Sequence, residues 1–140
     1  MNEDLTPLLS VIRLSVSFIR PTPQLALSEI DFSVPKNSII GIVGESGSGK
    51  SLTAMSIMGL LDMSNTESLG QITFEGRTIF PNQPEAARKH RGRHIAMIFQ
   101  DPMTALNPAK RCGAQVDEML IYQLGLSKVK AKAKTIELFE

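Results

Sequence analysis

The sequence predicts an α/β fold with a strand, a glycine-rich loop and a helix in direct succession behind an antiparallel β segment. Three observations carry this. Residues 8 to 34 alternate apolar and polar side chains, the period of half-buried strands. A β-branched run, Ile39, Ile40, Ile42 and Val43, leads into Gly44, Gly47 and Gly49 and then into apolar residues at helical spacing. From Cys112 onward the pattern is helical again.

The 140 residues suffice for one modest domain with a hydrophobic core. Apolar residues make up 42% and charged residues 21%, as in ordinary globular chains. The net charge of +1 lacks the basic footprint of a nucleic-acid binder. One cysteine, Cys112, excludes an internal disulfide and a cysteine-rich metal site. No apolar stretch approaches the roughly 20 residues that span a bilayer. The acidic start, Met1-Asn2-Glu3-Asp4, lacks the basic opening and apolar core of a secretion signal.

The first strand is expected over residues 8 to 18, from Ile12, Leu14, Val16 and Phe18. Pro21-Thr22-Pro23 breaks it, and Leu27, Ile30, Phe32 and Val34 mark a second strand closed by Pro35. A short connection makes antiparallel pairing the simpler arrangement. Residues 39 to 43 read as a strand covered on both faces, and Leu52, Met55, Ile57, Met58 and Leu61 as a helix from Lys50 to Leu61. Residues 70 to 80 suggest a strand pair around Glu75-Gly76, and residues 81 to 93 a short charged helix. Ile95, Met97, Ile98 and Phe99 form a second buried-strand pattern. Helices follow over residues 112 to 122 and 127 to 140, the last with Ser127 as N-cap.

The segment Gly44-Glu45-Ser46-Gly47-Ser48-Gly49-Lys50-Ser51 has the composition of a phosphate-binding loop. Its glycines let the backbone turn tightly and approach phosphates closely. Successive N–H groups and the helix N-terminus beyond Gly49 favour an anion. Lys50 brings a full positive charge to β- and γ-phosphates, and Ser51 a hydroxyl for Mg²⁺. Such a pattern arises by chance in roughly one chain of this length in a few hundred. The strand before it and the helix after it make a fortuitous Gly/Ser-rich turn rarer still. The loop specifies a nucleoside triphosphate without separating kinases, GTPases, helicases and transport ATPases.

The residues around the loop carry a closer resemblance. Gly41-Ile42-Val43 before it, Met55-Ser56-Ile57-Met58-Gly59-Leu60-Leu61 after it, and Ile95-Ala96-Met97-Ile98-Phe99-Gln100-Asp101-Pro102-Met103-Thr104-Ala105-Leu106-Asn107-Pro108 resemble the ATP-binding-cassette (ABC) transporter ATPases. The second run resembles the dipeptide, oligopeptide and nickel importer branch in particular. The resemblance extends from about Leu8 to Glu140. It implies a P-loop nucleotide-binding fold with an antiparallel β subdomain, truncated before the Walker B strand. Its parts would be the N-terminal part of the ATP-binding domain over 8–110 and the start of a helical subdomain over 111–140. Within the former, antiparallel β segments are expected at 8–36 and 70–80 and the P-loop core at 38–62 and 94–100.

The resemblance also assigns roles. Gln100 would be the Q-loop glutamine, touching Mg²⁺ and the attacking water through a carboxamide that accepts and coordinates. Phe18 sits where the family stacks an aromatic ring on adenine; as the end of an alternating strand it reads equally as core. Leu52 stands where many relatives have Thr, leaving a backbone N–H for the α-phosphate, as is common in the peptide branch. Catalytic work would rest on Lys50 and Gln100, with Mg²⁺ held by Ser51 and Gln100. Nucleotide contacts would come from Phe18, Gly44, Glu45, Ser46, Gly47, Ser48, Gly49, Lys50, Ser51 and Leu52. Expected partners are membrane-spanning permease subunits, a second ATPase subunit head to tail and, indirectly, an extracytoplasmic solute-binding protein, with no nucleic acid. The location implied is cytoplasmic, peripheral on the inner face of the membrane.

The family's Leu-Ser-Gly-Gly-Gln signature, its Walker B Asp-Glu and its switch histidine do not occur. Ser68-Leu69-Gly70-Gln71 lies before Gln100, on a strand, and Asp117-Glu118 follows no buried apolar strand. Residues 1–140 alone are therefore expected to hydrolyse ATP weakly or not at all, since phosphoryl transfer needs Mg²⁺ held from two sides. Two readings follow: the ATP-binding subunit of a peptide importer, or a truncated nucleotide-binding fragment without turnover. A P-loop kinase would need a substrate segment that is not found. His90 and His94 read as solvent-facing, Lys128, Lys130, Lys132 and Lys134 as a solvated helix face, and Cys112 as a small apolar filler.

Overall fold

The computed structural model describes residues 6–80, 84–101 and 105–140. Pro102, Met103 and Thr104 of the run beyond Gln100, Pro81, and the acidic N-terminus lie outside the described residues. Contacts divide the chain into two compact units, Met1–Arg91 and Gly92–Glu140.

In the first unit, strands β1 (Leu9–Phe18), β2 (Gln24–Val34), β3 (Thr66–Phe74) and β4 (Arg77–Phe80) form one antiparallel sheet in the order β2-β1-β3-β4. The pairing expected across Pro21-Thr22-Pro23 is present, with Leu9 opposite Val34 and Val16 opposite Leu27. Helix α1 (Lys50–Ile57) follows the glycine loop, and α2 (Pro84–His90) follows β4. The core gathers Val11, Leu14 and Val16 of β1, Leu27 of β2, Ile72 and Phe74 of β3 and Ile79 of β4. Met58 and Leu61 beyond α1 and Ala87 of α2 complete it.

Strict alternation in β1 would bury Ile12, yet Val11 is buried and Ile12 is exposed. Arg13 adopts φ 47° as an extra residue, shifting the register between Val11 and Leu14. A bulge reverses which side chains face the core. Glu29 on β2, also at φ 47°, inserts the compensating residue between the partners of Leu14 and Val16. On β3, Gly70 at φ 100° faces the same irregularity, and a Cβ there would stand 2.4 Å from the Arg13 carbonyl oxygen.

Helix α1 stops at Ile57, short of the expected Leu61. Gly59 takes φ 61°, its N–H donates to Ser56 O at 3.0 Å, and Leu60 N–H donates to Met55 O at 2.9 Å. This Schellman closure satisfies the last carbonyls and ends the helix at the glycine.

Two expectations fail. Neither residues 39–43 nor residues 95–99 form a strand. Ile39 is 100% exposed, Val43 93% and Ile98 95%. A strand exists only through hydrogen bonds to at least one neighbouring strand. Among the described residues no strand of the sheet pairs with either segment, and Ile95 O instead accepts from Gly92 N–H at 2.9 Å.

The second unit is built on α3 (Cys112–Leu124) and α4 (Lys128–Phe139), joined by Gly125, Leu126 and Ser127. Gly125 closes α3 at φ 65°, and the Ser127 hydroxyl accepts from Lys130 N–H, the expected cap. Among the described residues, Leu120, Ala131 and Thr135 are its buried ones.

Candidate functional site

Residues 44–49 fold as a turn against the start of α1. Gly47 and Gly49 take φ 81° and 89°, conformations costly for any residue with a Cβ. Gly47 has open space around it, whereas a Cβ on Gly49 would come within 2.3 Å of Leu27 Cδ2. The loop therefore rests on β2 through Gly49.

Gly49 is also the N-cap of α1, with no side-chain cap bond and no acidic residue in the first turn. The N–H groups of that turn are thus free to meet an external acceptor. The Thr53 hydroxyl donates to Gly49 O at 3.0 Å and the Ser56 hydroxyl to Leu52 O at 2.8 Å. Both side chains are buried yet satisfied by their own helix.

Lys50 folds back over the loop. Its ammonium donates to Gly44 O at 2.8 Å, Glu45 O at 2.6 Å and Ser48 Oγ at 3.1 Å. A Cβ on Gly44 would lie 2.7 Å from Ser48 Oγ, so Gly44 is what lets the Ser48 hydroxyl seat there. Ser51 is exposed on the second residue of α1, and Leu52 is half-buried behind it. Beside the loop, Ile30 and Phe32 of β2 and residues 40–43 line a cleft of about 430 Å³ that also reaches Ser48, Lys50 and Thr53. Its lining is mainly apolar, so it is no phosphate cradle.

Phe18 closes β1, half-buried, opposite Gln24 and Thr66. Two residues along the strand from Val16, it shares that residue's face. Val16 stands opposite Leu27, on which Gly49 rests.

Gln100 belongs to the second unit, exposed at a bend after residues 95–99. It and the loop are thus built by separate units. Among the described residues, no group of three or more His, Cys, Asp or Glu side chains could hold a metal ion. Of the loop's three hydroxyls, Ser46, Ser48 and Ser51, that of Ser51 stands on the first turn of α1, and a single protein hydroxyl there would suit an Mg²⁺ that keeps water and takes further ligands from phosphates.

The remaining expectations divide. His90 packs edge-on against Phe74, ring centroids 5.5 Å apart, rather than facing solvent. Cys112 is exposed, not a core filler. The four lysines of α4 are exposed as expected, and Ser68 to Gln71 lie within β3. Two contributors went unforeseen: Leu27, the support of Gly49, and the Ser48 hydroxyl, third acceptor of Lys50. Alternation had placed Leu27 on a core face, but no local signal tells which loop residue it touches.

The family model described as "ABC transporter" matches residues 27–139. The chain is 42% identical over 134 residues to the dipeptide transport ATP-binding protein DppD of Haemophilus influenzae, covering 95% of this chain and 41% of that protein. It is 41% identical over 137 residues to the oligopeptide transport ATP-binding protein OppD of Bacillus subtilis, covering 96% and 38%. With the probable D,D-dipeptide transport ATP-binding protein DdpD of Escherichia coli it shares 40% identity over 136 residues, covering 96% and 42%. The chain therefore spans about two fifths of the length of the curated relatives it matches.

Proposed function

The chain belongs to the ABC transporter family, and on that premise we propose that it is the N-terminal part of an ATP-binding subunit that powers import of peptides or a related solute. The observation that carries this is the Lys50 ammonium held by the Gly44 and Glu45 carbonyls at the uncapped head of α1.

In this reading the loop N–H groups of residues 45–51 bind the phosphates, and the Leu52 N–H approaches the α-phosphate. Lys50 would neutralise the β- and γ-phosphates, and Ser51 would give its hydroxyl to Mg²⁺. Phe18 would stack on adenine, and Gln100 would supply Mg²⁺ a carboxamide oxygen and orient the attacking water. ATP with Mg²⁺ supplies the transferable phosphoryl group. Permease subunits, a head-to-tail second ATPase subunit and, indirectly, an extracytoplasmic solute-binding protein complete the machine, at the cytoplasmic face of the membrane. Among the described residues no helix is long and apolar enough to cross a bilayer, so attachment through partners fits this reading. Residues 8–110 then form the start of the ATP-binding domain and 111–140 the start of its helical subdomain.

A second reading, a nucleotide-binding fragment without turnover, is favoured by the absence of strand pairing at residues 39–43 and 95–99 among the described residues. Titration calorimetry with Mg-ATP and a phosphate-release assay on the 140-residue chain test both. Binding is expected, weakened about tenfold or more by Lys50→Ala, the scale of one lost charge-assisted contact. Phosphate release is expected to stay at background. Equal binding by Lys50→Ala would refute the site, and robust release abolished by Lys50→Ala would refute the non-catalytic account of these residues.

A further inference from the structure

We propose that Ser48 is a positioning residue that latches Lys50 to the loop, so that an arriving phosphate must take over the donor that Ser48 holds. An ammonium has three N–H donors. Here all three are engaged, two by the carbonyls of Gly44 and Glu45 and one by the Ser48 hydroxyl. The carbonyls belong to the backbone of the turn and stay with it. The hydroxyl, exposed on a freely rotating side chain, is the acceptor that yields at least cost.

The seat is built for it. A Cβ at position 44 would stand 2.7 Å from Ser48 Oγ, so any larger residue there would push the hydroxyl off this seat. The Ser48 N–H in turn donates to Glu45 O at 3.3 Å, closing the turn around the ammonium. Ser48 thus acts through Lys50: it steadies the ammonium on the loop and competes with the ligand for one hydrogen bond. The latch rests on the contacts alone, and its consequence for affinity rests on the nucleotide reading above.

The test measures acetylation of Lys50 by an N-hydroxysuccinimide ester at fixed pH, read by peptide mass spectrometry, with the exposed Lys132 as internal reference. Without nucleotide, Ser48→Ala is expected to raise the Lys50 rate about threefold at an unchanged Lys132 rate, the scale of one modest hydrogen bond. Ser48→Thr, which keeps the hydroxyl, is expected to restore the wild-type rate. In titrations with Mg-ATP the Kd of Ser48→Ala is expected to fall about two- to threefold.

An unchanged Lys50 rate in Ser48→Ala, or an equal rise in Ser48→Thr, overturns the latch. A raised rate with an unchanged Kd overturns the competition. If the rates behave as expected but Mg-ATP protects Lys50 in none of the three proteins, the latch stands and the nucleotide reading is what fails.

Discussion

Gly47 and Gly49 share a backbone conformation but not an environment, and the difference separates two costs. An alanine at either position must hold a left-handed φ, which costs about 1–2 kcal/mol. At Gly49 the new methyl must also displace Leu27, whose Cδ2 lies 2.3 Å from its position. Urea melts should therefore show Gly49→Ala losing clearly more stability than Gly47→Ala, with part of the excess recovered by Leu27→Ala in the Gly49→Ala background. Equal losses would mean that Leu27 yields freely and does not seat the loop. The need for glycines was legible in the sequence, because a phosphate loop demands close backbone approach. Which glycine bears a tertiary contact was not, since Leu27 lies far away in the chain.

Asp62 sets a second test at this scale. Its carboxylate accepts the Ser64 hydroxyl at 2.7 Å and the Ser64 N–H at 2.9 Å, ahead of the turn into β3. These bonds, the hydroxyl's first, hold its pKa below the usual aspartate value. A group depressed in the folded state contributes stability that is full above its unfolded pKa and is lost as pH falls through the folded value. A carboxyl ¹³C titration should therefore place the Asp62 midpoint below the ordinary value of about 3.9, and Ser64→Ala should move it back up. An unmoved midpoint in Ser64→Ala would assign the depression to another cause.

Among the elements, helices were read well and strands only where they could pair. Residues that cap a helix act over one turn, so Ser127 could be read locally. The bulges of β1 and β2 could not, because Arg13 and Glu29 are ordinary polar residues whose positive φ is imposed by register with their neighbours. Arg13 and Glu29 also pair at 2.8 Å, but with both side chains mostly exposed this adds little. In the second unit, the contact of α4 with α3 holds a polar atom at a disadvantage. Thr135 is buried, its Cγ2 lies 3.6 Å from where a Gly113 Cβ would stand, and its Oγ1 has no hydrogen-bond partner among the described residues. Thr135→Val keeps the shape and removes a desolvated hydroxyl, a gain of about 1 kcal/mol. Thermal melts should show the variant at least as stable as the wild type. A clear loss would reveal a partner for the hydroxyl in solution.

For the molecule as a whole, local composition and realised structure part company at residues 39–43 and 95–99. Both segments have the β-branched and apolar content of buried parallel strands, yet neither joins a strand: residues 39–43 lie exposed, and of residues 95–99 Ile98 and Phe99 are exposed while Ile95 and Met97 are half-buried. Ile39, Val43 and Ile98 are almost fully exposed, and backbone groups outside any sheet form a template for another chain. Two consequences follow for the 140-residue chain in solution. Amides of residues 39–43 should exchange with deuterium far faster than those of β1, whose hydrogen bonds to β2 and β3 must break first. The same exposed segments should drive association, so sedimentation velocity should show self-association that rises with concentration, together with a broad, weakly cooperative melt. A monodisperse monomer with a sharp melt, and slow exchange at residues 39–43, would mean that these segments find partners within one chain. The P-loop would then stand on a paired strand in solution, and the loop geometry described above would be only one state of the site.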